Sequence, residues 1–308
     1  MFGRPLLRFV RKDTHINFMR GRFAGLITSA VLSLASIGLF FYPGLTLGLD
    51  FRGGIVVEAK TSGPADFGKL RTALAAHNIT HASIQAFGAP NDVLIRLDAG
   101  DGQETNKIVD SVRHAVDEAQ PGTTVLRADA VGASVSSELF RNGMLALGLS
   151  LAMILAYIWF RFEWEFALSA VITLVLDLTK TMGFLVITGF EFDLVMVAAI
   201  LTILGYSTND KVVVYDRVRE NLRKYRTMPL RELIDLSINE TLNRTLGTSS
   251  TVFLAALPLA LFGGTTLSGF AWTMLFGIVV GTSSSIFIAA PLLLFMGEGR
   301  LKGGKNAH

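Results

Sequence analysis

Two aspartates with basic neighbours interrupt stretches of this sequence that are otherwise apolar enough to lie in a lipid bilayer. Asp177 is followed three residues later by Lys180, and Asp210 is followed directly by Lys211. A charge at the centre of a membrane helix costs about 2.5–3.5 kcal/mol on insertion scales, so such groups usually face a bundle interior, pair with one another or line an ion path. The pattern therefore predicts a charged site inside a membrane domain.

The position of each residue along its apolar segment gives its expected depth in the membrane. Asp177 lies about 11 residues into its apolar segment, which is roughly 16 Å of helix and near the midplane of a ~30 Å hydrocarbon core. Asp210 is expected in the inner third of the next segment, at a level comparable with Arg244. Hydrogen-bonding side chains that we expect around these charges are Ser207, Thr208, Asn209, Asn243 and Thr245.

Proton coupling is the chemistry that such a constellation could perform. Burial disfavours the ionised form of a carboxyl and a nearby arginine favours it, so a carboxyl held between the two effects can load and release a proton. The alternative is a structural ion pair that fixes helix register, either Asp177–Lys180 or Asp210–Arg244. For Lys211 the alternative is a side chain that snorkels to the inner interface.

Composition places the chain among polytopic membrane proteins. Of its 308 residues 51% are hydrophobic and 17% are charged, whereas soluble domains have about 25% charged residues. The net charge of +3 is too small to indicate nucleic-acid binding, and the absence of cysteine excludes disulfides and thiolate metal sites. No phosphate loop, nucleophile triad or metal-ligand cluster is recognisable, so we expect no bond-making enzyme and no cofactor other than protons.

Six apolar segments and the distribution of basic residues predict the topology. The expected spans are 23–42, 143–160, 167–187, one that opens at Leu194, 245–262 with a kink at Pro258, and one within 270–296. Basic residues concentrate in an N-terminal segment 1–22, in a loop over 215–243 and in a tail 297–308, and the positive-inside rule makes all three cytoplasmic. Arg161 is the exception, and we expect Glu163 and Glu165 to balance it. The first span is expected to be an uncleaved anchor, because no small-x-small cleavage site follows it.

Residues 43–140 form a predicted α+β domain outside the membrane, in the periplasm, and the membrane region resumes over 141–296. Strands are expected over 50–59, 83–87, 92–97 and 123–131, with helices over 65–78 and 105–120. The order β-α-β-β-α-β is that of the ferredoxin-like split unit. The spacing of His77, His81 and His114 matches no metal site, so surface histidines are expected.

Several stretches resemble the SecD/SecF family. Gly48–Gly54 (GLDFRGG) is similar to the family's DFxGG stretch, and 205–221 (GYSTNDKVVVYDRVREN) to its fourth-span signature. Further similar stretches are 241–245, 261–264 and 277–286, where the GxxxG of Gly277 and Gly281 is typical of helix packing. The resemblance covers nearly the whole chain and favours the SecF branch, because SecD has a much larger outside region.

The resemblance implies an accessory subunit of the bacterial Sec export machinery in the inner membrane, within the resistance-nodulation-division superfamily. It implies SecD, the SecYEG channel, YajC, preproteins and membrane lipids as partners, and proton-motive force as the energy source. Asp210 and Arg244 then fall on the family's proton-coupling positions.

Three departures from the family pattern motivate a hypothesis. Leu176 stands where the family has histidine, Lys180 where it has an apolar residue, and Lys211 where it has threonine. We expect the two lysines to act as internal counter-charges that alter proton flow. The competing functions are a scaffold that stabilises the translocon without transport and a small-molecule or lipid exporter of the same superfamily, although exporters usually have two large outside domains.

Overall fold

The computed structural model describes residues 15–79, 82–87, 89–97 and 105–296. Most of the expected N-terminal segment, His81 and the tail 297–308 lie outside the described residues. The chain divides into two compact units, which are described separately. One comprises residues 1–46, 147–191 and 195–308, and the other comprises residues 47–146 and 192–194.

The elements of the described residues follow in chain order. The helices are α1 (Arg22–Phe41), α2 (Leu49–Arg52), α3 (Phe67–Ala76), α4 (Thr105–Ala119), α5 (Ala133–Arg161), α6 (Trp164–Thr188), α7 (Leu194–Lys224), α8 (Leu230–Phe262), α9 (Gly264–Ser284) and α10 (Ala290–Phe295). The strands are β1 (Gly54–Lys60), β2 (Ser83–Phe87), β3 (Ala89–Leu97) and β4 (Thr124–Val131). A π-helical turn, Ser285–Ala289, joins α9 to α10.

Six helical segments are long and apolar enough to cross a membrane, as the sequence predicts. They are Phe18–Phe41, Ala133–Arg161, Trp164–Thr188, Leu194–Lys224, Leu230–Phe262 and Leu267–Phe295. Each exceeds the roughly 20 residues that a bilayer core requires. Together with the small antiparallel sheet, they confirm the predicted fold class.

The prediction of a basic loop over 215–243 is wrong in its extent. Helix α7 runs to Lys224 and α8 begins at Leu230, so the connection is short. The basic residues suggested a loop, but apolar residues recur among them at helical spacing and give both helices a buried face. The buried residues on these faces are Val214, Tyr215, Val218, Leu230, Leu233, Ile234 and Ile238.

Arg161 has a partner that the sequence did not suggest. Its Nη2 lies 2.9 Å from Oδ1 of Asp216, rather than pairing with Glu163 or Glu165. The continuation of α7 past its apolar part places Asp216 there. An exposed pair of this kind contributes little stability, typically about 0–1 kcal/mol.

Small residues allow close packing in the helical unit. A Cβ atom added to Gly277 of α9 would overlap the buried side chain of Ile203 on α7, and one added to Gly281 would lie 3.0 Å from Cβ of Ser207. Likewise, a Cβ added to Gly183 of α6 would overlap Ser36 of α1. The GxxxG therefore lies against α7, the helix that carries Ser207 and Lys211.

The second unit has the ferredoxin-like arrangement. Its sheet is antiparallel with strand order β2-β3-β1-β4, and α3 and α4 pack on it. Alternating apolar residues of the strands and one face of each helix form its core. The buried members are Ile55, Val57, Ala59, Leu70, Leu74, Val93, Ile95, Leu97, Val112, Ala115 and Val116.

The expected strand at Asp50 is wrong at its start. Residues Leu49–Arg52 form the short helix α2, which ends at Gly53, and the strand begins at Gly54. Gly53 and Gly54 have φ values of +73° and +119°, and these conformations favour glycine at the change of direction between helix and strand. Phe51 is buried, and Asp50 Oδ2 accepts a hydrogen bond from the backbone N–H of Leu194 at 3.2 Å. The glycine motif thus holds the first residue of α7.

Two histidines of the predicted α+β domain, His77 and His114, are among the described residues and have ordinary roles. His77 Nε2 lies 3.0 Å from Glu118 Oε2, and His114 is exposed. Within the described residues, no group of three or more histidine, cysteine or acidic side chains could hold a metal ion.

Replacing Gly277 by alanine should destabilise the packing of α9 on α7. The added methyl group would force buried Ile203 aside, and such overpacking typically costs about 1–3 kcal/mol. We expect a lower thermal unfolding midpoint for the purified variant. Gly205→Ala is the matched control, because a Cβ there meets no atom within 4 Å; an equal loss in both variants would contradict the packing role.

Candidate functional site

Asp177 is the centre of a buried cluster contributed by three helices. Its Oδ1 lies 3.3 Å from Lys180 Nζ, and its Oδ2 lies 2.9 Å from Lys211 Nζ. Oδ2 also accepts hydrogen bonds from Ser207 Oγ at 2.9 Å and Ser284 Oγ at 2.6 Å. The exposed fractions of Asp177 and Lys211 are 1% and 0%. We call these five residues the Asp177 cluster.

Local geometry explains how the sequence assembles the Asp177 cluster. Asp177 and Lys180 are three residues apart on α6, and Ser207 and Lys211 are four apart on α7, so each pair shares a helix face. Gly281 admits Ser207 close to α9, and Ser284 follows one turn later. The GxxxG that packs α9 on α7 therefore also brings Ser284 of α9 to the Asp177 carboxylate.

Asp210 occupies a separate hydrogen-bonded arrangement. Its Oδ2 accepts from Thr282 Oγ1 at 3.5 Å, and Thr282 is 2.7 Å from Ser249 Oγ. Tyr206 donates to Ser249 at 2.7 Å. We call these four residues the Asp210 chain. It joins α7, α8 and α9 and ends on a carboxylate whose exposed fraction is 1%.

Arg244 was expected at a depth comparable with Asp210, and an ion pair between the two was the structural alternative. Its side chain is exposed, and in the described part of the chain no ion pair joins it to Asp210. Asn209 and Asn243 are exposed as well. Thr245 is buried, with its hydroxyl lacking a hydrogen-bond partner among the described residues.

The structure thus brings Asp177, Lys180 and Lys211 together and leaves Asp210 with hydroxyl neighbours. Lys211 does not snorkel, because its ammonium is fully buried on Asp177. Three hydroxyl residues were missed, namely Ser249, Thr282 and Ser284. For Thr282 and Ser284 the available signal was the polar run 282–285 inside an otherwise apolar span.

A further buried set of hydrogen bonds joins α6 and α7 to the π-helical turn. Tyr215 donates to Ser169 Oγ at 2.9 Å, and Ser169 donates to the carbonyl of Ala289 at 2.8 Å. Ala289 ends the π-helical turn, where the altered register changes the partners of backbone carbonyls. The side-chain bond satisfies a carbonyl at membrane depth, where an unpaired one would be costly.

The buried charges balance across the two arrangements. Asp177 and Asp210 contribute two negative charges, and Lys180 and Lys211 contribute two positive charges, all with exposed fractions of 7% or less. Asp177 has two ammonium groups and two hydroxyl donors, whereas Asp210 has one hydroxyl at 3.5 Å. Of the two, the charge of Asp210 is the less completely stabilised by direct donors.

Comparisons with known proteins agree with this architecture. The family model for the C-terminal part of the protein export membrane proteins SecD/SecF matches residues 111–299, and the model for the SecD/SecF GG motif matches residues 38–65. The chain belongs to the SecD/SecF family. The GG-motif match includes α2 and the two positive-φ glycines, Gly53 and Gly54.

Individual relatives are similar over most of the chain. It is 39% identical to the protein translocase subunit SecF of Cereibacter sphaeroides, covering 96% of this chain and 93% of that protein. It is 41% identical to SecF of Rickettsia bellii, covering 93% and 95%. With the translocase subunit SecDF of Brucella abortus it shares 44% identity over 94% of this chain but only 38% of that longer protein.

A solved structure has the same fold. The crystal structure of SecDF, a translocon-associated membrane protein from Thermus, matches with a TM-score of 0.84 and 32% identity, over 94% of this chain and 39% of that one. A SecDF structure in a super-membrane-facing form matches with a TM-score of 0.70 and 33% identity, over 98% and 41%. The chain is thus a multi-pass membrane protein and an accessory subunit of the Sec translocase.

Replacing Asp177 by asparagine should destabilise the protein strongly. Two buried ammonium groups would lose their carboxylate, and removing one partner of a buried pair typically costs about 3–5 kcal/mol. We expect a marked drop in the free energy of unfolding measured in mixed micelles, partly restored in Asp177→Asn/Lys211→Met. Asp216→Asn, at the exposed pair, should cost less than about 1 kcal/mol. Equal stability of Asp177→Asn and the unmodified chain would contradict the assignment.

Proposed function

We propose that this chain uses proton-motive force to assist preprotein translocation and release on the periplasmic side, together with SecD. The Sec names of its relatives support the pathway. The buried charges within its helices support energy coupling, because ionisable groups at membrane depth are costly and mark ion paths in transport proteins. The chain makes and breaks no bonds in this role and needs no cofactor beyond the protons themselves.

Asp210 is the proposed proton carrier. The observation that carries this assignment is the difference between the two carboxylates, since Asp177 is held by two ammonium groups while Asp210 has a single hydroxyl at 3.5 Å. Taking up a proton at Asp210 changes the net charge of the four buried groups, the two aspartates and the two lysines, from zero to +1. Such a change favours a different helix arrangement.

The proposed orientation places both termini in the cytoplasm and the α+β unit in the periplasm, with the protein in the inner membrane. The basic residues at the end of α7 support it, because such residues concentrate on the cytoplasmic side. A proton that moves from the periplasm to the cytoplasm then releases about 2.3 kcal/mol of free energy per 100 mV of membrane potential.

The proposed partners are SecD, the SecYEG channel, YajC, preproteins and anionic lipids, with no nucleic acid. Lipid contact is supported by a crevice of about 460 Å³ whose lining has more basic than acidic residues. A basic surface of this kind near the interface attracts lipid phosphates. The lining residues are Arg161, Asp216, Arg219, Glu220, Arg223 and Lys224.

The scaffold function remains the competing proposal, because the Asp177 cluster links α6, α7 and α9 and would also serve a purely structural role. The two functions differ at Asp210, whose few contacts contribute little to the fold. If the chain is a scaffold, neutralising this residue should leave export intact. If it is a proton-coupled subunit, the same change should abolish proton-dependent export.

Asp210→Asn should abolish the proton-dependent part of export while the protein assembles normally. Asparagine has nearly the same shape and can still accept from Thr282, but it cannot exchange a proton. The measurement is export of a secreted reporter in cells whose only copy is the variant, with membrane levels of this chain and of SecD followed in parallel.

Asp216→Asn is the matched control, since it neutralises an exposed carboxylate on the same helix. Its export should equal that of the unmodified chain. Normal export with Asp210→Asn would refute proton coupling at this residue and favour the scaffold.

Lys180→Met should also lose proton-dependent export. The change removes one positive charge from a neutral buried set, so ionised Asp210 becomes costlier and its proton is not released. Lys180→Arg keeps the charge and should retain activity. Export by Lys180→Met at the level of Lys180→Arg, with equal membrane levels, would exclude a counter-charge role for Lys180.

A further inference from the structure

Four oxygen atoms from three residues surround the ammonium of Lys211. Nζ contacts Asp177 Oδ2 at 2.9 Å, Ser284 Oγ at 3.3 Å, the carbonyl oxygen of Ser207 at 3.4 Å, and Ser207 Oγ. Carboxylate, hydroxyl and carbonyl oxygens are the ligands that hard cations prefer. The set comes from α6, α7 and α9.

The hydroxyl groups are oriented to receive a cation. Ser207 and Ser284 each have a single hydroxyl proton. That of Ser207 is donated to Oδ2 of Asp177, and that of Ser284 to the same oxygen at 2.6 Å or to the carbonyl of Gly281 at 3.0 Å. Their lone pairs are then available to Nζ. An ammonium has three N–H donors, yet four oxygens surround this one, and its side chain is 0% exposed. The ammonium is therefore enclosed by oxygen atoms and removed from water.

We infer that these oxygens of Asp177, Ser207 and Ser284 form a binding site for a monovalent cation, which this chain fills permanently with the ammonium of its own Lys211. We call them the oxygen cage. The inference deepens the proposed function and rests on it for its consequence. A cage with a tethered cation cannot exchange its ion, so exchange is confined to Asp210.

Chemical complementation can test the oxygen cage directly. Lys211→Ala removes Cγ, Cδ, Cε and Nζ, and n-propylammonium has the same three carbons and ammonium nitrogen. It should therefore enter the space and stabilise the variant by binding only the folded state. The measurement is thermal unfolding of the full chain in detergent with n-propylammonium chloride or, at equal ionic strength, tetramethylammonium chloride, whose cation is too bulky for the cage.

We expect n-propylammonium to raise the unfolding midpoint of Lys211→Ala by roughly 2–4 °C over tetramethylammonium once the cage is largely occupied. Lys211→Met should show no difference between the two salts, because its side chain fills the same volume without a charge. Asp177→Asn/Lys211→Ala should show none either, because the carboxylate is gone. The unmodified chain should not respond, since its cage is filled.

An equal effect of both salts on Lys211→Ala would overturn the inference, as would an equal response in Lys211→Met. Lys211→Thr, whose smaller side chain also opens the space, provides a second variant if Lys211→Ala does not fold alone. Failure of both to fold even when purified with n-propylammonium, while Lys211→Met folds, would likewise overturn it. The readout needs no export, so its failure would leave proton coupling at Asp210 untouched.

Discussion

The contact between the Asp177 carboxylate and the Lys211 ammonium is the interaction on which the helical unit depends. Both groups are removed from water, and a buried charge persists only with a compensating partner and hydrogen bonds. The two serines complete the shell, and the glycines of α9 let that helix approach closely enough to supply Ser284. Packing and electrostatics are therefore linked, because the small residues that permit contact also deliver the donors.

This interaction separates the roles of two carboxylates that look alike in sequence. Asp177 accepts from four donors, whereas Asp210 has one hydroxyl contact, at 3.5 Å from Thr282, which begins a chain of hydroxyls that extends to Tyr206. One is suited to hold helices in register and the other to change its protonation state. Lys180 makes the set of four buried charges neutral. Under the proposed function, a proton taken up at Asp210 would give this set a net positive charge and favour another arrangement of the helices.

Much of the fold could be predicted because its signals are local. Six apolar segments, alternating strands and helical spacing gave the spans and the β-α-β-β-α-β order. The helical extent of 215–243 was missed because its basic residues suggested a loop, although its apolar residues follow a helical period. The short helix Leu49–Arg52 was missed because four residues carry too little periodicity to distinguish a turn of helix from a strand.

The site was predictable only within single helices. Asp177 and Lys180 share a face by spacing, so their pairing could be expected. Lys211 is adjacent to Asp210 in sequence, but neighbouring residues point to different faces of a helix. Its true partner lies on α6, and Ser284 comes from α9. Such contacts depend on how the helices pack, which spacing along one helix does not specify.

The assignment of the exchangeable proton is best tested by infrared spectroscopy of the purified full chain during an acid titration. A protonated carboxyl group has a carbonyl band that a carboxylate lacks. The account predicts a band that grows as the pH falls, is absent from Asp210→Asn and remains in Asp177→Asn/Lys211→Met. A band that persists unchanged in Asp210→Asn, or that disappears with Asp177, would contradict it.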